Sequence, residues 1–433
     1  MLLYNNLSVN AEGHLLIDGA DTVELAKTYG TPLYVLSEDR VREKSRTYTE
    51  AFRAFFPAGS AVLYAGKALC FRGIYPIIDS EGLSADVVSA GEIYTALSAG
   101  FPAEKLYFHG SNKTDEEICF GLDHGIGTFI VDNFAELEAL DRETGNRGIR
   151  QDILLRVTVG LDPHTLDQIN TGKVDSQFGT PIETGAAMTI LQAALQKKNL
   201  RVLGFHSHIG SQIFESEPFC DQIDILLDFS AKTREKAGFT PSVLNLGGGF
   251  GVPYTENDPK VDIRENIRKI AAHLQAGLSR YGLPAPKILM EPGRSIVADA
   301  GLTLYTAGGL KTIEGYRSYV TVDGGMCDNP RYALYKSAYT VLSAARMNEA
   351  ADFECTLAGR CCESGDRIAE NILLPKPERG DILAVLTTGA YNFSMASNYN
   401  RIPRPALVIL KDGKPRLSVK RETFEDLVKR EML

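Results

Sequence analysis

The middle of the chain repeats one theme: a short apolar run, a loop, then a segment whose apolar residues recur three and four apart. The apolar runs are AVLYA (61–65), LSADVV (83–88), LYFHG (106–110), TFIVD (128–132), ILLRVTV (153–159), VLGFHSHI (202–209), SVLNL (242–246) and KILM (287–290). They are short, rich in Val, Ile and Leu, and bounded by Gly or polar residues, which is the signature of buried strands. Helical periodicity covers 91–99, 115–123, 134–142, 186–198, 220–236 and 261–281, with Gly282 as a stop. Eight strand candidates alternating with helices predict a parallel (β/α)8 barrel over residues 35–292, close to the usual size of ~250 residues. An open doubly wound sheet is the alternative. Past residue 293 the texture changes to short β-like runs at 318–322, 353–357, 382–386 and 406–410, separated by turns such as Asp323-Gly324-Gly325 and Asp412-Gly413. This predicts a mainly antiparallel β-domain from 293–433, joined by the polar, β-like segment 1–34 with its Asp18-Gly19 turn.

Composition narrows the function more than the fold. The 433 residues are 44% hydrophobic and 23% charged, ordinary for a globular protein. A formal net charge of −9, from 46 Lys+Arg against 55 Asp+Glu, argues against general binding to nucleic acid or anionic membranes. It leaves room for a local cluster of Arg and backbone N–H groups that holds an anion. Seven cysteines without a CxxC pair are expected to be reduced thiols in a cytoplasm. The opening MLLYNNLSVNAEGHLL lacks the pattern of a signal peptide. No run of 18 apolar residues predicts a membrane span.

A parallel barrel builds its site from the C-terminal ends of its strands, and reactive residues fall there. Lys67 follows the first strand, Asp86 lies in the second, His109 ends the third, and Arg156 lies in the fifth. His206 and His208 end the sixth, GGGFG (247–251) follows the seventh, and EPGR (291–294) follows the eighth. Lys67 could form a Schiff base, since burial frees a lysine amine; taken alone it reads rather as a lysine snorkelling to solvent. The glycine run offers backbone N–H groups to a phosphate, or simply a tight turn. It matches neither a P-loop nor the dinucleotide fingerprint. Glu291 could pair with a protonated ring nitrogen or with Arg294. His206 and His208, two apart, share a strand face. They read as a metal pair lacking an obvious third ligand, as structural histidines, or, for His208, as a group stacked on an aromatic cofactor. In the β-domain, Arg331 and Tyr335 (NPRYALY) suit a carboxylate. Cys362 is a candidate proton donor or a small buried hydrophobe. Glu363 reads as a solvated turn carboxylate, and Tyr391 sits in TTGAYNFSMASNYN.

Together, YAGKA, DVVSAGE, HSHIGSQ, LNLGGGFG, EPGRS, VDGGMCDNPRYALY, CESGD and GAYNFSMASNYN resemble, in the same order, the fold-type III pyridoxal-phosphate (PLP) decarboxylases with an alanine racemase-like barrel. The likeness is greatest to the bacterial branch acting on diaminopimelate and spans nearly the whole chain. It implies PLP as cofactor, with Lys67 as the Schiff-base lysine and His208 stacked on the ring. Ser211, Gly248, Gly249, Gly293 and Arg294 resemble the phosphate site, and Glu291 the carboxylate that keeps the pyridine nitrogen protonated. Asp86 and Arg156 resemble the residues that orient the displaced lysine. Arg294, Arg331 and Tyr335 resemble the groups on the distal carboxylate, Glu363 the one meeting the distal amine, and Tyr391 a contact to both PLP and substrate. Cys362 resembles the proton donor. Cys362 and Glu363 would come from a partner subunit, implying a homodimer with a shared site. The expected reaction converts meso-2,6-diaminopimelate to L-lysine and CO2, the last step of lysine biosynthesis, with no metal. Two departures stand out: Leu69 after Ala68, where the family often has Asn, and SQFG (176–179) where SKFG is frequent. A non-catalytic PLP-binding homologue and a metal-dependent hydrolase using His206 and His208 are the competing classes.

Overall fold

The computed structural model describes residues 4–161 and 175–432. The chain forms two compact units. One comprises Lys44–Gly251 and Lys260–Ser295; the other comprises Met1–Glu43, Val252–Pro259 and Ile296–Leu433.

The first unit is a closed parallel barrel. Its strands are β1 (Ala61–Ala65), β2 (Ser84–Val87), β3 (Leu106–Phe108), β4 (Thr128–Val131), β5 (Gln151–Thr158), β6 (Leu200–His206), β7 (Val243–Asn245) and β8 (Lys287–Met290). Each pairs in parallel with the next, and β8 returns to β1 through Leu289 opposite Ala61. All eight runs of the hydrophobic pattern are strands, which excludes the open sheet.

Helices follow the strands, and their starts are written in the sequence. Ser89, Asn133 and Asp262 each accept the backbone N–H three residues on, and Thr114 forms a reciprocal capping box with Glu117. Gly238 and Gly282 end the two longest helices of this unit in left-handed conformation. The helices Glu38–Phe55 and Tyr75–Ser80 were not legible in the pattern. The first is dominated by charge, its apolar face reduced to Val41, Tyr48 and Phe52; the second is too short to show a period.

Inside the barrel, Leu63, Ile130, Leu154, Val243 and Leu289 form one buried apolar cluster. Strand side chains alternate faces, so the residue two further on points the same way. Two residues on from these five lie Ala65, Asp132, Arg156, Asn245 and Glu291. An apolar plug is therefore capped by a polar layer at the strands' C-terminal ends. β6 joins this layer through a bulge between Val202 and Gly204. A Cβ on Gly204 would lie 1.9 Å from the Val243 carbonyl oxygen, so only glycine fits there.

The second unit is mainly antiparallel. The long strand Gly301–Ile313 pairs antiparallel with Leu33–Ser37, Ile382–Leu386 and Arg317–Val322. Ala406–Lys411 adds in parallel to Leu33–Ser37, and Phe353–Ala358 in parallel to Arg317–Val322. Two tight turns carry positive φ at both central residues, Asp18-Gly19 and Asp412-Gly413, the geometry that matches strand twist in a hairpin.

The two units divide at different points from residues 35 and 292. Leu33–Ser37 is a strand of this sheet, so the barrel unit begins only at Lys44. Val252–Pro259 also belongs here, where the Tyr254 carbonyl accepts the Thr340 N–H at 3.2 Å and its hydroxyl at 2.8 Å. The N-terminal segment is not wholly β: Thr22–Tyr29 is a helix, capped by the Asp21 carboxylate.

Candidate active site

The polar layer converges on Glu291, which follows β8. Its Oε1 accepts from Asn245 Nδ2 at 2.6 Å and from His109 Nε2 at 2.8 Å, and its Oε2 from His206 Nε2 at 3.1 Å. All four residues are buried. Burial alone would push the Glu291 carboxyl up. The electrostatic pull of His109 and His206 and the hydrogen bonds they donate outweigh that and hold it well below the usual carboxylate range; burial pushes His206 itself down to about 4, so it donates as a neutral imidazole. Asp86 goes the other way. Burial raises it and the Glu291 charge adds to the rise, against pulls from His109, Lys67 and Arg156. Negative charge in this pair of carboxyls is thus concentrated on Glu291. Asp86 Oδ1 is buried without a hydrogen-bond partner among the described residues.

Lys67 stands in a single turn, Gly66–Ala68, directly after β1, with its side chain exposed. Its charge acts on Asp86, on His208 and on Glu92. Glu92 accepts the Val88 N–H at 2.8 Å; burial pushes its carboxyl up to about 7. The loop after β8 lies tightly against the Lys67 turn. A Cβ on Gly293 would come within 2.9 Å of both the Ala65 and the Ala68 methyls.

Beside these, the glycine run after β7 brings three segments together. A Cβ on Gly248 would sit 2.2 Å from the Glu291 carbonyl oxygen, and one on Gly249 3.0 Å from the Gly210 carbonyl oxygen. Side chains are excluded, so bare backbone is what the run presents. His208 Nδ1–H donates to the Gly248 carbonyl at 3.1 Å. Burial, then the charge of Lys67, keeps that imidazole neutral, well below the ordinary histidine range. Ser211 Oγ accepts from Arg294 Nε at 3.2 Å and Nη2 at 3.0 Å. A hydroxyl, a guanidinium and glycine backbone therefore meet next to a neutral imidazole, with a buried carboxylate close by.

Arg156 lies under the SQFG segment. Its guanidinium is 4.5 Å from the Phe178 ring centroid, and its Nε is 3.9 Å from Asp132 Oδ1, which also accepts the Gly179 N–H at 3.0 Å. Asp132 N–H in turn donates to Glu136 at 3.0 Å. Glu136 pairs at 2.7 Å with the buried Lys113, whose ammonium also donates to the Gly110 and Ile130 carbonyls. Lys113→Met leaves the Glu136 carboxylate buried and uncompensated. It is expected to cost about 3–5 kcal/mol, read as a lowered denaturation midpoint, and Lys113→Met with Glu136→Leu should recover much of that.

The remaining sequence candidates lie in the second unit. The Arg331 guanidinium is 5.1 Å from the Tyr335 ring and 5.0 Å from the Tyr391 ring. Its Nε is buried with no acceptor among the described residues, so the trio has an unused N–H to offer an anion. Tyr391 holds φ +69, a sparsely populated conformation for a residue with a side chain. Cys362 is exposed, its N–H held by Asn400 Oδ1 at 2.7 Å, and the Tyr399 hydroxyl is 3.4 Å from Glu363 Oε2.

Two expectations change in detail. Glu291, read as a partner of either a ring nitrogen or Arg294, is engaged by His109, His206 and Asn245. His206 and His208 do not act as a pair: the first turns to Glu291 and the second to Gly248. Asn245 escaped sequence reasoning because an Asn inside SVLNL carries no signal of its own; its place two after Val243 was the available clue.

Known proteins resemble this chain over nearly its whole length. Residues 38–298 match the family model for the pyridoxal-dependent decarboxylase, pyridoxal binding domain. The chain is 46% identical over 431 residues to diaminopimelate decarboxylase of Bacillus subtilis (strain 168), covering 99% of this chain and 98% of that one. It is 45% identical over 422 residues to the Bacillus methanolicus enzyme of the same name, covering 98% of each. Among solved structures, diaminopimelate decarboxylase from M. jannaschii in co-complex with L-lysine superposes with a TM-score of 0.91 at 33% identity, covering 100% of this chain and 99% of that one.

Proposed function

Because this chain belongs to the pyridoxal-dependent decarboxylase family, we infer that it removes CO2 from meso-2,6-diaminopimelate and releases L-lysine, the last step of lysine biosynthesis, with PLP as cofactor. The likeness to diaminopimelate decarboxylases over 99% of the chain is the observation that carries the reaction.

The residues present suit a phosphate-tailed, electron-poor ring. Ser211, Arg294, Gly293 and the side-chain-free run at Gly248 and Gly249 would hold the phosphate. The neutral His208 suits the ring face, and the ionised Glu291 suits a protonated ring nitrogen. The Asp86 oxygen left without a partner suits a polar group of the cofactor or of Lys67. Lys67 Nζ would hold the cofactor covalently, with Arg156 and Asp86 orienting the amine once substrate takes its place.

When bound, the cofactor supplies a conjugated ring that accepts the electron pair left on Cα as CO2 departs. The chain's own residues do the rest. Glu291 keeps a proton on the ring nitrogen by placing a negative charge beside it. Arg294, Arg331 and Tyr335 take the distal carboxylate, which the unused Arg331 Nε–H supports. Glu363 meets the distal amine, and Tyr391 contacts both cofactor and substrate. Cys362 Sγ–H returns a proton to Cα. Following the family resemblance, Cys362 and Glu363 reach the site from the partner subunit of a homodimer. All seven cysteines are free, which supports a cytoplasmic, reducing setting. No helix among the described residues is long and apolar enough to cross a membrane.

Assaying the purified protein on diaminopimelate, ornithine, arginine and carboxynorspermidine tests the substrate. The expected result is CO2 from diaminopimelate with one L-lysine per CO2. Release only from one of the other three would overturn the assignment.

A further inference from the structure

Glu291 is met by three donors, two from β6 and β7 and one just after β3, and its remaining capacity can be counted. A carboxylate has about four lone-pair sites on its two oxygens. Asn245 and His109 occupy Oε1, and His206 takes one site on Oε2. One site on Oε2 is left for a further donor.

The donors are themselves fixed. Asn245 Oδ1 accepts the Gly247 N–H at 3.0 Å, so its amide cannot turn over without breaking that bond, and Nδ2 must face Glu291. His206 Nδ1 is buried with no partner among the described residues. A buried neutral imidazole carries its single proton where an acceptor waits, which is Nε2, toward Glu291.

His109, His206 and Glu291 also form a group whose ligating atoms lie within 4.8 Å of one another, so a metal needs to be considered. A histidine that ligates through Nε2 must carry its proton on Nδ1, and metal-bound histidines almost always donate that proton to a partner. Among the described residues His206 has none to offer it to. The orphaned nitrogen separates the two readings and favours donation to Glu291.

We propose that His109, His206 and Asn245 are positioning residues for the decarboxylation: they hold the Glu291 carboxylate ionised and turned so that one Oε2 site faces the ring nitrogen of the cofactor. This rests on the assignment of Glu291 to that nitrogen given above. The charged and titratable groups facing Glu291 are Asp86 from β2, Tyr107 from β3, His109 after β3, Arg156 from β5, and His206 and His208 at the end of β6, while Lys67 from the β1 turn acts on Asp86 and His208. Among them, only His109 and His206 hydrogen-bond it.

The test uses holoenzyme carrying His206→Leu, His109→Leu, His206→Gln or His109→Gln. Glutamine places an N–H near the position of imidazole Nε2; leucine does not. Two quantities are read: kcat and KM on diaminopimelate, and the pH midpoint of the Glu291 carboxyl carbon in 13C NMR, identified by its loss in Glu291→Gln. In the leucine variants kcat is expected to fall about 10- to 100-fold, the size of other supporting-shell losses, with KM little changed. The midpoint should rise by about one pH unit or more. The glutamine variants should recover most of both, which a purely space-filling role would not allow. Wild-type kcat and midpoint in both leucine variants overturn the proposal. So does a loss that glutamine fails to rescue. If Glu291→Gln itself keeps wild-type kcat, the assignment beneath the proposal fails instead.

Discussion

Lys67→Ala is expected to abolish CO2 release from diaminopimelate, lowering kcat by at least about four orders of magnitude, as losing a member of an interdependent catalytic group does. The amine emerges from β1 by a single turn, and Gly293 is bare so that the β8 loop can close against that turn. No other lysine among the described residues occupies this rim as a substitute: Lys113 is buried and committed to Glu136. The loss should be in chemistry rather than folding, because the Lys67 side chain is exposed. A spectrophotometric CO2 assay with a thermal melt checks both parts. The same variant tests the shared site. Mixing it with Cys362→Ala after subunit exchange should restore about a quarter of wild-type activity, since half of the dimers are hybrids and each hybrid keeps one intact site. No recovery would remove the partner-subunit assignment and leave the reaction untouched.

Glu291→Gln should lower kcat about 10²- to 10³-fold, the usual consequence of losing one preorganised electrostatic contact in a buried site. KM should change little, because the proposed role of the carboxylate is toward the cofactor and not the substrate. Stability should fall as well. The amide has one oxygen where the carboxylate had two, yet His109, His206 and Asn245 all present N–H groups. His206 cannot reverse its tautomer cheaply, since its Nδ1 has no acceptor among the described residues. A buried donor left without a partner costs about 1–3 kcal/mol, readable as a lowered denaturation midpoint. Wild-type kcat in this variant would mean that the ring nitrogen is served by another group.

Much of the barrel was legible because two periodicities coincide. Leu63, Ile130, Leu154, Val243 and Leu289 identify the strands as apolar runs, and the same alternation lifts Asp132, Arg156, Asn245 and Glu291 onto their common face. Polar residues two beyond a core position are visible in one dimension. Their pairing is not. His109 meets Glu291 only because β3 and β8 belong to one closed cylinder, and 182 residues separate them. His206 was out of phase by one until the Gly204 bulge is known, since it follows the inward Leu203 by three instead of two. The helix Glu38–Phe55 was hidden by its charges, and the assignment of Leu33–Ser37 to the sheet unit depends on ladder partners more than 260 residues away in Gly301–Ile313. Motif resemblance supplied the specific roles proposed for Cys362, Glu363 and Arg331, which the residue types alone left open.

Asn245 acts as a ruler. Its amide donates to Glu291 and accepts from the backbone of Gly247, so the buried carboxylate and the start of the glycine run hang from a single planar group. Given the ring and phosphate sites proposed above, an analogue with one methylene more or less between ring and phosphate is expected to bind more weakly than the cofactor.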